Sequence, residues 1–358
     1  MRQLLRRNSI KLLLGVGLSL LLISCETVSY YSQAARGQLA ILWGRERIDA
    51  LLARDDLQPE LRAKFLSVLA IRDYAEQELA LPVAENYLTY VDLEREHVVW
   101  NVFAAPEFSV DPVNWCYPIA GCVSYRGYFS ETASARFATR LREEGYDVYT
   151  GGVDAYSTLG WFDDSLLSTV SNRADYQLAA LIFHELAHQI VYVPGDTTFN
   201  ESFATAVERE GIRRWLRAGQ QEDTLTRAET DVARQQKFVA LVLEYRDRFE
   251  ALYDRDIEAT EMREGKQGIQ DALRADYAQL KQQWEGYAGY DSWFASSLNN
   301  AQLSTVSSYN GLVPYFMSLL AQADGNMQVF YGLVKEFAAL DADERDARAA
   351  ALAGLSVN

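Results

Sequence analysis

The sequence predicts an α+β fold that is predominantly helical, with a small mixed or antiparallel sheet and a C-terminal helical hairpin. Apolar residues recur every three or four positions through most of the chain, which is the spacing of one helix face. Residues 87–104 instead alternate and are rich in Val, Tyr and Trp, which favours strands. A chain of 358 residues with 49% hydrophobic side chains has core material for one elaborated domain or two close ones.

The first 24 residues have the organisation of an export signal. Four basic side chains within residues 2–11 precede an apolar run over 12–23 that is too short to span a bilayer. The run ends in Leu-Ile-Ser-Cys, which is similar to a bacterial lipobox. This similarity implies cleavage before Cys25, lipidation of Cys25 and a place in the cell envelope. Glu26, and not Asp, follows the cysteine, which in a Gram-negative host favours the outer membrane, facing the periplasm. An ordinary signal peptide and an uncleaved anchor are the alternatives.

The mature chain, 25–358, divides by pattern into two parts. Residues 25–220 carry the predicted sheet and a metal site, and residues 221–358 are mostly helical. A capping Ser130 and a terminating Gly145 bound one of the helices of the first part. The predicted elements of that part are, in order, helices over 27–55 and 58–80, strands within 87–104 and 122–129, a helix over 130–144 and a strand within 147–162.

A strongly apolar helix is predicted around the sequence His-Glu-Leu-Ala-His at 184–188. Leu178, Ile182 and Leu186 recur every four residues on a face away from the two histidines. The sequence Val-Pro-Gly-Asp at 193–196 ends the helix and turns the chain. A second helix then begins near residue 198 or 200 and continues through 208.

The spacing of this motif fits a metal site. His184 and His188 lie one turn apart on the same helix face, so both imidazoles point to one place. Zinc accepts imidazole nitrogens together with a carboxylate as the third protein ligand. Glu185 lies beside that place without coordinating, and it can take a proton from a metal-bound water whose pKa falls from about 15.7 toward 7. The sequence therefore predicts one Zn2+ per chain.

Two downstream carboxylates are candidates for the third ligand. Glu201 follows His188 by 13 residues and Glu208 follows it by 20. Here the chain resembles the gluzincins, zinc peptidases whose third ligand usually stands in an Asn-Glu pair that opens a helix, as in Asn-Glu-Gly-Phe-Ala. Residues 200–204, Asn-Glu-Ser-Phe-Ala, look like that stretch. The resemblance implies a zincin-like pair of active-site helices, with Glu201 as the ligand and Glu208 as an outer or substrate-binding group.

A donor for the oxyanion of peptide hydrolysis is also expected. Some gluzincins use a histidine and others a tyrosine. The remaining histidine, His97, falls within the predicted strands and is read as an ordinary strand residue. Tyr309 is the preferred candidate, and Tyr125, Arg126 and Tyr156 are its rivals in oxyanion or substrate binding.

The cysteines agree with export. Once Cys25 is assigned to lipid, two cysteines remain, Cys116 and Cys122. An even number of cysteines in an exported chain predicts a disulfide between them. Aromatic and turn residues surround the pair and favour a rigid loop and strand that could wall a cleft. Two unpaired buried thiols are the alternative.

The net charge of the chain limits the classes of partner that it can bind. The net charge is −16, and removal of residues 1–25 takes away four positive charges and no negative one, giving about −20. Such an acidic protein is a poor ligand for nucleic acid. Peptide substrate, and the membrane through the lipid anchor, remain as the expected partners.

Beyond residue 220, two apolar repeats predict an antiparallel helical hairpin. They run over 238–252 and 269–284, and Gly-Lys-Gln-Gly at 265–268 is the predicted turn between them. The hairpin is expected to be a packed helix pair that can cap the cleft.

Most of the mature chain resembles a bacterial family of predicted aminopeptidases. The resemblance rests on Tyr-Tyr at 30–31, Gly-Gln-Leu at 37–39, the segment 121–129, the histidine helix and the segment 309–314. It implies an envelope-anchored zinc peptidase that removes N-terminal residues, although the Gly-x-Met-Glu-Asn sequence that holds the substrate amine in such enzymes is missing. The alternative is a non-catalytic envelope lipoprotein with a structural metal site and a partner-binding hairpin. Against it, a structural zinc site would not need Glu185 and usually has four protein ligands.

Overall fold

A computed structural model describes residues 27–117, 121–155, 162–307 and 311–355. Helices dominate these residues and the strands are short, which confirms the predominantly helical α+β class. The predicted signal segment with Cys25, and the candidates Tyr156 and Tyr309, lie outside the described residues. Within the described part of the chain, no helix is both long enough and apolar enough to cross a bilayer.

The strands form three small sheets. One has the order β1–β2–β8 with a parallel β2–β8 pair, one is antiparallel with the order β6–β3–β7, and the third is the β4–β5 hairpin. This agrees with the mixed and antiparallel sheet that the sequence predicts. The strands are β1 (Glu46–Arg47), β2 (Thr89–Val91), β3 (Val99–Pro106), β4 (Trp115–Tyr117), β5 (Gly121–Val123), β6 (Arg126–Tyr128), β7 (Tyr146–Val153) and β8 (Leu166–Leu167).

The helices begin where the sequence supplies caps. Ser130 accepts a hydrogen bond from the Ala133 amide, Asp196 from that of Phe199, and Pro59 opens a helix at its first turn. The helices are α1 (27–43), α2 (Ile48–Leu52), α3 (Pro59–Gln77), α4 (Glu131–Glu143), α5 (Asp175–Ala187), α6 (Thr197–Ala218), α7 (Glu222–Tyr253), α8 (Ala259–Gln283), α9 (Asp291–Phe294), α10 (Asn300–Ser307), α11 (Val313–Gln322), α12 (Met327–Ala338) and α13 (Ala342–Leu355).

Strand β3 is the centre of its sheet and is covered on both faces. It pairs with β7 over its full length, from Val99 opposite Val153 to Pro106 opposite Tyr146. Side chains of α4 pack with Val102 on one face, and α10 packs on the other. The run of consecutive buried residues in β3 follows from this double cover.

The largest hydrophobic cluster surrounds α5 and α6. Phe183 of α5 and Phe199 and Phe203 of α6 are fully buried, and Phe316 of α11 and Phe330 of α12 join them. Burial of one such side chain contributes about 1.5–3 kcal/mol. The helix pair that carries the histidine motif is therefore held in the most densely apolar part of the molecule.

The predicted helical hairpin is present as α7 and α8, but its predicted turn is wrong. The chain reverses at 254–258, and the glycine-rich segment 265–268 lies inside α8. A Cβ on Gly265 would be 2.9 Å from Leu252 Cδ1, so this glycine lets the two helices approach closely near their turn. Close packing, not chain reversal, accounts for Gly265.

Candidate active site

Helix α5 presents the motif and is fixed at its first turn. The Asp175 carboxylate accepts hydrogen bonds from Lys64 Nζ at 2.5 Å and from the Ser67 hydroxyl at 2.6 Å, which ties α5 to α3. His184 and Glu185 lie in the last turn of α5, and His188 is its C-terminal capping residue. The histidines remain on one helical face because regular geometry continues to that point.

The turn between α5 and α6 is held by Asn200. Its side-chain oxygen accepts the Val193 amide at 2.8 Å, and its side-chain nitrogen donates to the Val193 carbonyl at 2.9 Å. Asn200 is buried, so these bonds satisfy both ends of its amide. The residue before Glu201 therefore fixes the turn and, through it, the position at which Glu201 enters the site.

Ser202 stands where the gluzincin sequence has glycine. Its hydroxyl is buried and accepts a hydrogen bond from the Leu312 amide at 3.1 Å. A Cβ on Gly311 would be 3.3 Å from Thr198 Cγ2. The chain that follows position 310 thus runs along the first turns of α6, within one turn of Glu201.

The structure brings His184, His188 and Glu201 together. One candidate ligand atom from each lies within 4.8 Å of the other two. Both imidazoles direct Nε2 toward the carboxylate, with distances of 3.2 Å from His184 to Oε2 and 3.9 Å from His188 to Oε1. The two rings are perpendicular, with centroids 5.0 Å apart. Three donors thus converge on one point, as the motif spacing predicts.

Glu208 occupies a different position relative to His184. Its Oε2 lies 3.1 Å from Nδ1, the nitrogen on the far side of the ring from Glu201. Glu201 and Glu208 are two turns apart on the same face of α6, so the imidazole lies between them. A hydrogen bond from Nδ1 to Glu208 leaves the Nε2 lone pair directed at Glu201 and His188.

Glu185 lies beside these groups, partly exposed to solvent, and its pKa is raised to about 7. Burial is the main cause, the carboxylates of Glu201, Asp164 and Glu208 add to it, and the charge of His184 opposes it. A carboxylate with this pKa can take or give a proton near neutral pH.

The surroundings of the site shift the pKa values of the two histidines in opposite directions. Burial, followed by the charge of His184, lowers the pKa of His188 to about 4. Burial also disfavours the charged form of His184, but hydrogen bonds to Glu201 and Glu208 outweigh it and raise the pKa of His184 well above its usual value. The pKa of Glu201 is lowered, because its contacts with both histidines outweigh burial.

Two tyrosines border the trio. Tyr125 is in the turn between β5 and β6 and packs against Phe103, with ring centroids 5.7 Å apart. Burial raises the pKa of Tyr125, and the charge of Glu201 is the next cause. Tyr192, in the α5–α6 turn, has its pKa raised by burial and then by the charge of Glu201. Both phenols therefore lie within electrostatic reach of the Glu201 carboxylate.

The candidate Arg126 packs against two aromatic rings. Its guanidinium lies over the Tyr30 ring at 4.0 Å and over the Phe137 ring at 4.8 Å. These contacts join α1 and α4 to β6. They assign Arg126 to the packing of α1 against the sheet.

His97 is not one of the three converging donors, as expected, but it precedes β3 and does not lie within a strand. Residues 92–98 interrupt the strand pattern that the sequence predicts there. Nδ1 of His97 lies 2.6 Å from Asp154, whose other oxygen accepts from Arg173 at 2.7 Å. The histidine is part of a hydrogen-bond network with Asp154 and Arg173 that holds this loop.

Asp164 and Tyr192 escape prediction from the sequence. Asp164 is buried and raises the pKa of Glu185, and its amide donates to Asn86 Oδ1 at 2.7 Å. Both residues stand in irregular segments, where neither periodicity nor a motif distinguishes them. The only signal was their proximity in sequence to predicted active-site elements.

A cleft of about 1210 Å3 opens beside the motif. His184 and Glu185 line one side, and Phe238, Tyr290 and Trp293 line the other. The second group belongs to the hairpin and the segment that follows it. The hairpin thus forms a wall of the cleft, as the sequence analysis allowed.

The predicted disulfide between Cys116 and Cys122 is present and closes the β4–β5 hairpin. A Cβ on Gly121 would be 2.8 Å from the Gly195 amide nitrogen, so this hairpin lies directly against the α5–α6 turn. Gly121 has φ +73°, a conformation that favours glycine. The disulfide loop supports the turn that carries Tyr192 and leads to Glu201.

A family model described as "Putative aminopeptidase" matches residues 29–349. The chain belongs to this family. No curated protein and no solved structure matches the chain. The matched range spans α1, the sheets, both motif helices and the hairpin. The family description indicates a hydrolase that acts on peptides.

Proposed function

We propose that this protein is a zinc-dependent peptidase of the gluzincin type. His184, His188 and Glu201 hold one zinc ion per chain, and Glu185 handles the proton. The observation that carries this proposal is the convergence of ligand atoms from two imidazoles and one carboxylate within 4.8 Å, with the Glu185 carboxyl group, whose pKa is raised, beside them. Family membership supports the peptidase class.

The chemistry of the donor set fits a divalent cation. Two imidazoles and a carboxylate are the ligands of catalytic zinc sites that keep one position open. Glu185, Glu201 and Glu208 place three acidic groups around His184, and their charge favours a bound cation. Nδ1 of His188 is buried and has no hydrogen-bond partner among the described residues, so Nε2 is the nitrogen directed at the other donors.

When bound, zinc would supply Lewis acidity, polarising the scissile carbonyl and acidifying water. Glu185 accepts the proton of the attacking water and passes it to the departing amine. Glu208 holds the His184 ring in the orientation that directs Nε2 to the site.

A tyrosine is the proposed donor to the oxyanion. Tyr125 and Tyr192 are supported by their interaction with the Glu201 charge. Tyr309 remains the sequence-based candidate and lies outside the described residues. A raised phenol pKa keeps the tyrosine protonated and able to donate.

The proposed substrate is a peptide, held in the cleft between α5 and the hairpin. The aromatic wall formed by Phe238, Tyr290 and Trp293 suits apolar side chains beside the scissile bond. The proposed location is the bacterial envelope, with the chain tethered through lipid on Cys25 at the periplasmic face of the outer membrane.

Glu185→Gln tests the proposal. We expect peptide hydrolysis to fall by about three orders of magnitude or more, because the proton acceptor is lost, while bound zinc and the thermal midpoint stay near wild type. His188→Ala should lose both zinc and activity. Glu229→Gln, which removes a charge from an exposed carboxylate on the same cleft, is the matched control.

Mass spectrometry of the metal and hydrolysis of a peptide library would be read together. Wild-type protein that binds no zinc after zinc is added back would overturn the metal assignment. Zinc-loaded Glu185→Gln with full activity would overturn the catalytic one. A protein that binds zinc but cleaves nothing would favour the non-catalytic lipoprotein.

A further inference from the structure

Helix α1 carries an apolar face that nothing in the described structure covers. Val28, Tyr31, Leu39 and Trp43 are 64%, 46%, 40% and 80% exposed, the last being the most exposed of the large apolar side chains. At 100° per residue these positions fall within about a third of the helix circumference. Four exposed apolar side chains therefore lie on one face of α1, and we call this set the α1 stripe.

The opposite face of α1 is firmly attached to the protein. Gln33 accepts a hydrogen bond from the Phe129 amide at 2.9 Å, and Tyr30 bonds the Tyr117 hydroxyl at 3.2 Å. A Cβ on Gly37 would be 2.1 Å from the Phe129 ring, and Ile41 is buried. Because one face is docked this closely, the apolar stripe is held outward.

The charge of α1 differs from that of the rest of the chain. Arg36 is its only charged residue, and it has no acidic residue, although the whole chain has a net charge of −16. Arg36 is exposed. A helix that is apolar on one face, free of negative charge and ended by an exposed Trp has the character of an interfacial helix on an anionic bilayer.

We infer that the α1 stripe lies on the surface of the membrane to which the chain is tethered. The predicted lipid attachment at Cys25 is two residues before the described part of α1, so the anchor would place this helix at the bilayer. A single lipid signal often needs a second contact for stable attachment, and the stripe supplies it. The docked face of α1 then fixes the orientation of the catalytic domain. This inference rests on the envelope tether in the proposed function, and not on catalysis.

Vesicle binding tests the inference with a chain that begins at residue 26 and so lacks only the lipidated residue of the mature protein. Vesicles of phosphatidylethanolamine and phosphatidylglycerol are sedimented with wild type and with the triple variant Val28→Ser, Leu39→Ser, Trp43→Ser. We expect the wild type to bind and the variant to bind at least about tenfold more weakly. Leu66→Ser with Val329→Ser, which removes exposed apolar side chains from α3 and α12, is the matched control and should bind like wild type.

Arg36→Glu provides a second variant that keeps the apolar stripe. It should weaken binding to the anionic vesicles and leave the fold unchanged. Wild type that stays in the supernatant, or a triple variant that binds equally well, would overturn the inference. So would a wild-type dimer in solution that the triple variant abolishes, since the stripe would then face a second copy. Zinc content and peptide hydrolysis, measured on the same samples, report on the proposed catalytic function separately.

Discussion

The hydrogen bond between His184 and Glu208 gives the sharpest test of how the site is organised. Glu208→Gln keeps the size of the side chain but removes its charge. Nδ1 then faces a neutral amide at a distance of 3.1 Å in place of a carboxylate. The imidazole is held less firmly, and its Nε2 becomes a weaker metal ligand.

The size of the effect follows from the geometry. A hydrogen bond to a charged group contributes about 1.5–3 kcal/mol, roughly twice a neutral one. The Glu208 side chain is 34% exposed, so solvent screening places the loss near the lower end. A loss of about 1.4 kcal/mol corresponds to a tenfold weaker Kd for zinc, within the range of about 10–100-fold for groups that orient metal ligands.

Competition with a chelator of known affinity would measure the zinc Kd of wild type, Glu208→Gln and Glu229→Gln. Both variants remove one negative charge from the same cleft. Glu229, however, is exposed and is not part of the site formed around His184 and His188. Equal weakening in the two variants would show a general charge effect and refute the orienting role. Complete loss of zinc in Glu208→Gln would make Glu208 a ligand, and an unchanged Kd would leave His184 oriented by other contacts.

Two further predictions concern stability. Gly211→Ala should destabilise the fold by about 1–2 kcal/mol, because a Cβ there would be 2.6 Å from Phe183 Cδ2. Gly332→Ala should stabilise the fold by up to about 1 kcal/mol, because its Cβ would meet nothing within 4 Å. Urea unfolding would measure the unfolding free energy of both variants. Equal effects would contradict the packing argument. Burial opposes the charged form of Glu210, but hydrogen bonds from Arg213 and Arg214 outweigh this effect and lower the Glu210 pKa below 4.5. Since the folded pKa is the lower one, this stability is present above the unfolded pKa and is lost as the pH falls through the folded pKa. The difference in unfolding free energy between wild type and Glu210→Gln should therefore shrink in that acidic range, and a difference that grows there would contradict the argument.

The active-site helix was well within reach of the sequence. The four-residue spacing of His184 and His188 fixes their common face in any regular helix, and the apolar repeat on the other side requires that helix to be buried. The Asn-Glu pair marked the start of the second helix. The sequence did not reveal the role of Asn200, because its two hydrogen bonds with Val193 form only when the turn closes.

The hairpin shows where local patterns mislead. Glycines at 265 and 268 resemble a turn in sequence, yet α8 continues through them because Gly265 packs against Leu252 of the neighbouring helix. The sequence alone does not distinguish a glycine that permits chain reversal from one that permits close contact between helices. Only the partner helix distinguishes the two.

The sequence by itself determined the helical class, the histidine pair with its adjacent carboxyl group and the helical hairpin, because each depends on periodicity or on spacing along the chain. It also predicted the disulfide, because two cysteines remain once Cys25 is assigned to lipid. The tertiary structure decided which face of His184 meets Glu201 and which meets Glu208, since both carboxylates share one face of α6 and differ only in how α5 packs across it. It also brought Asp164, Tyr125 and Tyr192 into the field of the site. Contacts between segments far apart in sequence depend on packing, and a local pattern carries no measure of those distances.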